Sequence, residues 1–204
     1  TGKATEFSQP MMVPRGKVTG GSSAINGQVF LRGVPEDYDA WASLGNDQWS
    51  YEKVLPFFRK LETDPDFKDD FHGTDGPVVI SHSNREDWDP AKDAFYNACL
   101  AAGFPSCDDP SNPDSWGVGP SATNTVRGVR YSTAVTHLSH SRHRLNLTIR
   151  PNCQARRILF ENKRAVGMEV DSGSEAFTVY GREVILSAGA VVSPQLLMLS
   201  GVGP

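Results

Sequence analysis

The chain has 204 residues, 38% of them hydrophobic and 22% charged, with a formal net charge of −4; this is the profile of an ordinary folded protein, not of a disordered or fibrous one. A weakly acidic chain has no electrostatic reason to seek nucleic acid or an anionic membrane, and no apolar run approaches the length of a membrane span. The three cysteines, Cys99, Cys107 and Cys153, lie far apart with no C-x-x-C pair. That argues against a disulfide framework or a cysteine zinc site and weakly favours a reducing compartment. No basic stretch leading into an apolar one opens the sequence, so no signal peptide is read, and a cytoplasmic location is the weak expectation. Neither Thr1 nor Pro204 reads as a natural terminus, so the sequence reads as an internal fragment of a longer protein.

In chain order, residues 1–15 are polar and irregular. Gly20-Gly21-Ser22-Ser23 is a small-residue turn, and Asn26-Gly27 a second tight turn. Pro35 to Leu44 has helix character, with Pro35 in the first turn and Gly45 closing the end. Ser50 is placed to cap a second helix, Tyr51 to Glu62, with Leu55, Phe58 and Leu61 as an apolar stripe, bent or started by Pro56. Residues 64–77 form a polar loop, in which the acidic run Asp64, Asp66, Asp69 and Asp70 reads as solvated; it lacks the spacing of a calcium loop. Val78 to Ile80 is a short strand. Asp89 to Ala102 is a helix with Ala91, Phe95, Ala98 and Leu100 turned inward and Gly103 after it. Residues 103–128 are a long loop of functional or docking character. Tyr131 to Ser139 is a short helix capped by Ser132 or Thr133. His137, His140 and His143 follow one another at spacings of three, but Arg142 and Arg144 crowd them, and a solvated helix end fits better than a metal site. Trp41, Trp49, Trp88 and Trp116 read as packing residues.

Beyond residue 145 the pattern turns to strands: Asn146 to Arg150, Gln154 to Glu161, Arg164 to Asp171, Glu175 to Tyr180 and Arg182 to Ser187. Asn162-Lys163 and Ser172-Gly173-Ser174 supply hairpin turns. Val184-Ile185-Leu186 is apolar throughout, as in a strand covered on both faces. A helix capped by Ser193, with Pro194 at its first position, then runs to Leu199.

Two stretches have chemical character. Gly16-Lys17-Val18-Thr19-Gly20-Gly21-Ser22-Ser23-Ala24-Ile25-Asn26-Gly27 is a small-residue loop with backbone N–H groups and two hydroxyls. Glycines admit a ligand close to backbone, and successive N–H groups make an anion-binding concavity. A phosphate-bearing ligand suits it, and so does a purely structural turn. It is neither a P-loop nor a G-x-G-x-x-G turn. The second stretch runs from Gly189 to Gly203. Strand, small-residue turn and helix in succession is the wiring of a doubly wound nucleotide fold, or of any α/β connection.

The first stretch closely resembles the first signature of the glucose–methanol–choline (GMC) oxidoreductases, and the second matches their second signature. Between them Asp39-x-Trp41, Phe58-Arg59-Lys60-x-Glu62, His72-Gly73 with Gly76-Pro77, and Asn146-Leu147 also resemble the family, so the likeness runs the length of the chain. Thr19 departs from it, where the family usually has an aliphatic residue. The resemblance implies an α/β fold: part of a Rossmann-like FAD-binding domain with an interleaved α+β substrate domain. Residues 1–30 and 145–204 would be segments of the FAD side, and residues 31–144 would cover the flavin and begin the substrate domain.

Carried over position by position, the resemblance places Val18 where backbone meets the flavin. Gly20, Gly21, Ser22 and Ser23 fall along the pyrophosphate and ribityl side, and Asn26, Gly27, Gln28 and Val29 against the isoalloxazine edge. Ala155, where Val is more usual, offers backbone to the adenine, and Ala188 and Gly189 begin a turn on the adenine side. Some members attach the flavin through a histidine just before the Asn; Ile25 stands there, so non-covalent FAD is implied. The reaction implied is oxidation of a small-molecule alcohol, with hydride passing to flavin N5 and oxygen or a quinone-type acceptor taking the electrons. A non-redox lyase relative and a non-catalytic module descended from the family are the alternatives. The catalytic bases belong to a C-terminal part outside this sequence, so no residue here is assigned as catalytic.

Overall fold

A computed structural model describes Gln9 and residues 12–203. The chain divides into two compact units, Thr1–Arg144 and Leu145–Pro204.

In the first unit, helix α1 (Pro35–Ser43) starts on a proline followed by Glu36 and Asp37, which suits the positive end of the helix dipole. Helix α2 (Tyr51–Leu61) runs through Pro56. Leu55, Phe58 and Leu61 are half-buried, with Val54 deeper than any of them. The side chain of Ser50 does not cap α2. Instead Asp39 Oδ1, from α1, accepts the Tyr51 N–H at 2.9 Å. The two helices meet through aromatic edges: Tyr38 lies 5.6 Å from both Trp41 and Phe58, and Trp41 lies 5.8 Å from Trp49.

Strands β1 (Glu62–Thr63) and β2 (Val78–Val79) pair in parallel. Val78, Ile80 and Ala122 form the buried core, with Phe30 and Leu61 packed against it. Ala122 belongs to the long stretch 103–128, which is therefore not a free arm. Thr123 bridges Val29 on one side and Ser81 on the other, and Cys107 and Val118 are joined backbone to backbone. The chains run so close there that a side chain on Gly119 would put its Cβ 1.6 Å from the Cys107 carbonyl oxygen. Hairpin β3 (Thr125–Val126) to β4 (Val129–Arg130) closes the stretch. Its turn residues Arg127 and Gly128 both have positive φ, as a type I′ turn requires.

Helix α3 (Pro90–Ala101) is capped by Asp89, whose carboxylate accepts the Ala91 and Lys92 amides. Its inward face differs from the sequence reading: Ala91, Phe95, Ala98 and Leu100 are exposed, and Tyr96 is buried. Tyr96 packs edge-on to Trp88 and its hydroxyl pairs with Ser106 at 2.9 Å; an amphipathic ring with a partner outcompetes the aliphatic stripe for the inside. The helix expected over 131–139 is a single π-type turn, Ala134–Leu138, with no side-chain cap.

The second unit is an antiparallel meander, β5 (Gln154–Glu161), β6 (Arg164–Ser172) and β7 (Glu175–Tyr180), followed by helix α4 (Val192–Leu199). Asn162 and Lys163 turn the first hairpin with φ of 47° and 69°, and Gly173-Ser174 turns the second. Ile158, Val170 and Leu196 are its buried apolar residues. Three expectations fail here. Residues 146–150 and 182–187 are not strands, because no described segment pairs with them and a strand exists only through its ladder. Ile185 is correspondingly exposed rather than covered. Finally, α4 starts ahead of Ser193, whose hydroxyl accepts the Ala188 N–H at 3.1 Å instead of capping the helix. No helix among the described residues is long and apolar enough to cross a membrane.

Candidate functional site

The first small-residue stretch folds as a 3₁₀ turn, Gly21–Ala24, entered through Gly20 at φ 94° and Gly21 at φ 56°. L side chains rarely adopt that region, so glycine belongs at both positions. Gly16 is required for another reason: a Cβ there would stand 2.2 Å from the Gly21 carbonyl oxygen. The loop is bonded more internally than its composition suggests. Gly21 N–H donates to Val18 O at 2.8 Å, Asn26 N–H to Ser22 O at 2.9 Å, and Gly16 N–H to Ser22 Oγ at 3.2 Å. Not every amide is therefore offered to a ligand. What the loop does present is open backbone at Gly21 and Gly27, where a Cβ would meet nothing within 4 Å, flanked by the exposed apolar side chains of Val18, Ile25 and Val29.

Segment 131–134 fixes the loop from behind. Ser23 Oγ donates to Gly20 O at 2.5 Å and accepts the Thr133 N–H at 3.0 Å, and Thr133 Oγ1 also reaches Gly20 O at 3.3 Å. Nothing local in the sequence marks Thr133 for this, since it lies 110 residues from Ser23. The turn read at Asn26-Gly27 is displaced by one position. The left-handed residue is Gln28, at φ 59°, a conformation that costs a non-glycine residue about 1–3 kcal/mol and persists where surroundings impose it. Gln28 is 2% exposed. Its backbone N–H donates to Asn26 Oδ1 at 3.1 Å, and its Nε2 to Ser23 O at 2.7 Å and also to Asn26 Oδ1. Its Oε1 is buried without a partner.

A buried ion pair holds the segment that leaves the loop. Arg32 donates to Glu62 Oε1 at 2.5 Å and to the Phe71 carbonyl at 2.7 Å, and Glu62 Oε1 also accepts the Gly73 N–H at 3.1 Å. Beside it the acidic run is solvated at Asp66, Asp69 and Asp70, as read, and departs from that reading at Asp64. Asp64 is buried and accepts from His82 Nε2 at 2.8 Å, and Asp69 meets His72 Nδ1 at 2.8 Å. The Phe67 ring stands 5.3 Å from the His72 ring and 5.0 Å from that of His82. Burial by itself would raise both carboxyls. The histidine bonds, with the amides of Phe67 and Asp66 for Asp64 and of Phe71 and His72 for Asp69, outweigh it and hold both below the ordinary value. Asp69, His72 and Asp109 come close enough together to suggest a cation site. Yet Asp69 faces one ring nitrogen and Asp109 the other, at 3.5 Å. The imidazole is hydrogen-bonded to Asp69 alone, and its Nε2 is buried without a hydrogen-bond partner.

In the second unit Ala155 and Ala188 line one cleft of about 290 Å³, with Ile158, Met168, Leu186 and Leu196. Gly189 follows at φ 91°, in open space. The twelve candidate positions thus gather into two groups: residues 18–29 on the glycine turn, and Ala155 and Ala188 at the apolar cleft with Gly189 next in sequence. The supporting role of Thr133 in the first unit has no counterpart in the sequence reading.

These features describe a mixed α/β chain with a glycine-rich, backbone-lined turn beside exposed apolar side chains. Comparison with known proteins makes the class specific. The family model described as GMC oxidoreductase matches residues 2–204. An oxygen-dependent choline dehydrogenase of Photobacterium profundum is 42% identical over 97% of this chain and 35% of its own length. Among solved structures, pyridoxine 4-oxidase from Mesorbium loti is similar with a TM-score of 0.86 at 33% identity, over 93% of this chain and 38% of that one. An FAD-dependent oxidoreductase from Chaetomium thermophilum is similar with a TM-score of 0.87 at 31% identity, over 99% of this chain and 37% of that one. The chain belongs to the GMC oxidoreductase family, whose cofactor is FAD. It spans about a third of the length of the curated relatives it matches.

The residues present fit such a group. Glycine backbone open at Gly21 and Gly27 admits a phosphate-bearing chain closely, and bare apolar side chains on either side suit a flat ring. Ile25 carries no atom able to bond covalently to a flavin.

Proposed function

We propose that the protein to which this chain belongs is an FAD-dependent oxidoreductase that oxidises a small-molecule alcohol to a carbonyl compound. The observation that carries this reading is the glycine turn, open at Gly21 and Gly27 and bordered by Val18, Ile25 and Val29, in a chain of GMC type. When bound, FAD supplies the two-electron acceptor. The chain's own part is to hold it. Val18 meets the flavin through backbone, and Gly20, Gly21, Ser22 and Ser23 run along the pyrophosphate and ribityl portion with backbone and hydroxyls. Asn26, Gly27, Gln28 and Val29 border the ring, and Ala155, Ala188 and Gly189 border the adenine. FAD is held non-covalently, because Ile25 stands at the attachment position. On this reading residues 1–30 and 145–204 are segments of a Rossmann-like FAD domain, and residues 31–144 cover the flavin and open the substrate domain. The groups that take the alcohol proton lie outside this chain.

Similarity to a choline dehydrogenase and a pyridoxine 4-oxidase makes choline and pyridoxine the first alcohols to try, with oxygen or a quinone-type compound as electron acceptor. The test is anaerobic mixing of the flavin-loaded protein with each alcohol, followed at the flavin absorption band. Bleaching by at least one alcohol is the result expected, and acid precipitation should release the flavin into the supernatant. Bound flavin that no alcohol bleaches would point to a non-redox relative, and a colourless protein that takes up no FAD would overturn the reading.

A further inference from the structure

Asn26 is exposed at the end of the glycine turn, and its side-chain oxygen is surrounded. Oδ1 accepts from the backbone N–H of Gln28 at 3.1 Å, from Gln28 Nε2, and from Arg130 Nη1 at 3.5 Å. Three donors converging on one atom fit only an oxygen, which settles the orientation of the amide. Its NH2 group is therefore on the side away from them. Gln28 reaches this position at a disadvantage to itself, left-handed at φ 59° and with Oε1 buried without a partner. Unfavourable backbone and an unsatisfied buried oxygen at one residue are retained where the arrangement has a use.

We propose that Gln28 is a positioning residue, fixing the Asn26 carboxamide oxygen-inward so that its NH2 faces the bound flavin ring as a hydrogen-bond donor. The proposal rests on the reading of this loop as an FAD site. A donor at an electron-rich edge of the ring favours the state in which the ring holds added electrons, so Gln28 raises the flavin reduction potential through Asn26. A methionine at position 28 keeps much of the bulk and removes the Nε2 donor. Asn26 then keeps only the backbone amide and the distant Arg130, and its amide is held less firmly oxygen-inward. An aspartate at position 26 still accepts the Gln28 donors with one oxygen but sets a second, negative oxygen where the NH2 stood.

The test is a redox titration of the flavin-loaded protein, wild type against Gln28→Met, Asn26→Asp, Asn26→Ala and the Asn26→Ala/Gln28→Met double variant. The midpoint potential should fall in Gln28→Met and fall further in Asn26→Asp. In the Asn26→Ala background Gln28→Met should add no shift, which a general structural role for Gln28 does not predict. If Gln28→Met does not retain flavin, Asn26→Asp decides, and a potential no lower than wild type there overturns the inference. A wild-type potential in Gln28→Met, or an equal shift with and without Asn26, also overturns it while leaving the FAD reading intact. A wild-type protein that takes up no FAD overturns both.

Discussion

Arg32 and Glu62 in the first unit sit 2.5 Å apart with side chains 3% and 2% exposed, whereas Arg157 and Glu169 in the second sit at the same separation with side chains 55% and 38% exposed. The contacts look alike and their physics differs. Water screens the second pair and holds either partner comfortably without the other. The first has been stripped of water, so each member depends on its partner and on the Phe71 carbonyl and Gly73 amide that complete the set. The units follow this division more widely. The first is organised around buried polar groups: Arg32–Glu62, Asp64 with His82, and His72 beside Asp109, with Asp69 reaching His72 from the surface. The second is a meander followed by a helix, with the apolar residues Ile158, Val170 and Leu196 inside and the ion pairs on the surface.

The largest effect should come from breaking the buried pair. Glu62→Gln keeps the shape and leaves the Arg32 charge uncompensated, and the expected loss is about 3–5 kcal/mol in urea unfolding. Arg32→Met combined with Glu62→Leu removes both charges and should be less destabilised than either single change. A double variant as unstable as the sum of the singles would mean that the pair matters for its bonds to Phe71 and Gly73 and not for its charges.

The same division explains what could be read in the sequence. β5, β6 and β7 follow from alternating residues between Asn-Lys and Gly-Ser turns, because hairpin pairing is local and its turn chemistry lies within a few residues. Helices α1 and α3 likewise carry their starts in Pro35 and Asp89, whereas the cap read for α2 at Ser50 is not made. The glycine turn was legible as a tight small-residue turn because glycines at positive φ leave a compositional trace. Its bracing was not: Thr133 reaches Ser23 across 110 positions, and hydrogen bonds at that separation leave no periodic signal. Within the acidic run 64–70 the burial of Asp64 was missed for the same reason, since it is drawn inside by His82, 18 residues away, while Asp66, Asp69 and Asp70 are exposed as read. Residues 182–187 were misread in the opposite direction. An apolar run announces a strand, yet a strand needs a partner, and none is present among the described residues.

A smaller effect should appear in acid. Asp64 and Asp69 are held below their ordinary value of 3.8 in the folded chain. Their contribution to stability is therefore complete above that pH and is lost as the pH falls through the lower, folded values. Removing His82 takes away the side-chain bond to Asp64, so the folded carboxyl rises and the loss begins at higher pH. Acid unfolding of His82→Asn, followed by circular dichroism, should have its midpoint displaced upward from wild type. An unchanged midpoint would show that the Phe67 and Asp66 amides alone hold the carboxylate, leaving the histidine as packing for the Phe67 ring.

The smallest effect sharpens the contrast from the other side. Arg157 and Glu169 face each other across β5 and β6 with two hydrogen bonds, at 2.7 Å and 2.5 Å, the best geometry an ion pair can have. The bonded guanidinium and the opposite charge hold Glu169 below its ordinary value, yet both groups stand in water. Good geometry and open exposure thus pull in opposite directions, and exposure should win. Arg157→Ala and Glu169→Ala, alone and together, should give a coupling in thermal unfolding that is barely measurable at low salt and vanishes at high salt. The meander keeps its register through Ile158, Val170 and its two turns, none of which either substitution touches. Coupling that persisted in high salt would mean that a cross-strand pair in water can hold as firmly as the desolvated Arg32–Glu62 pair, and burial could then no longer account for the difference between the two units.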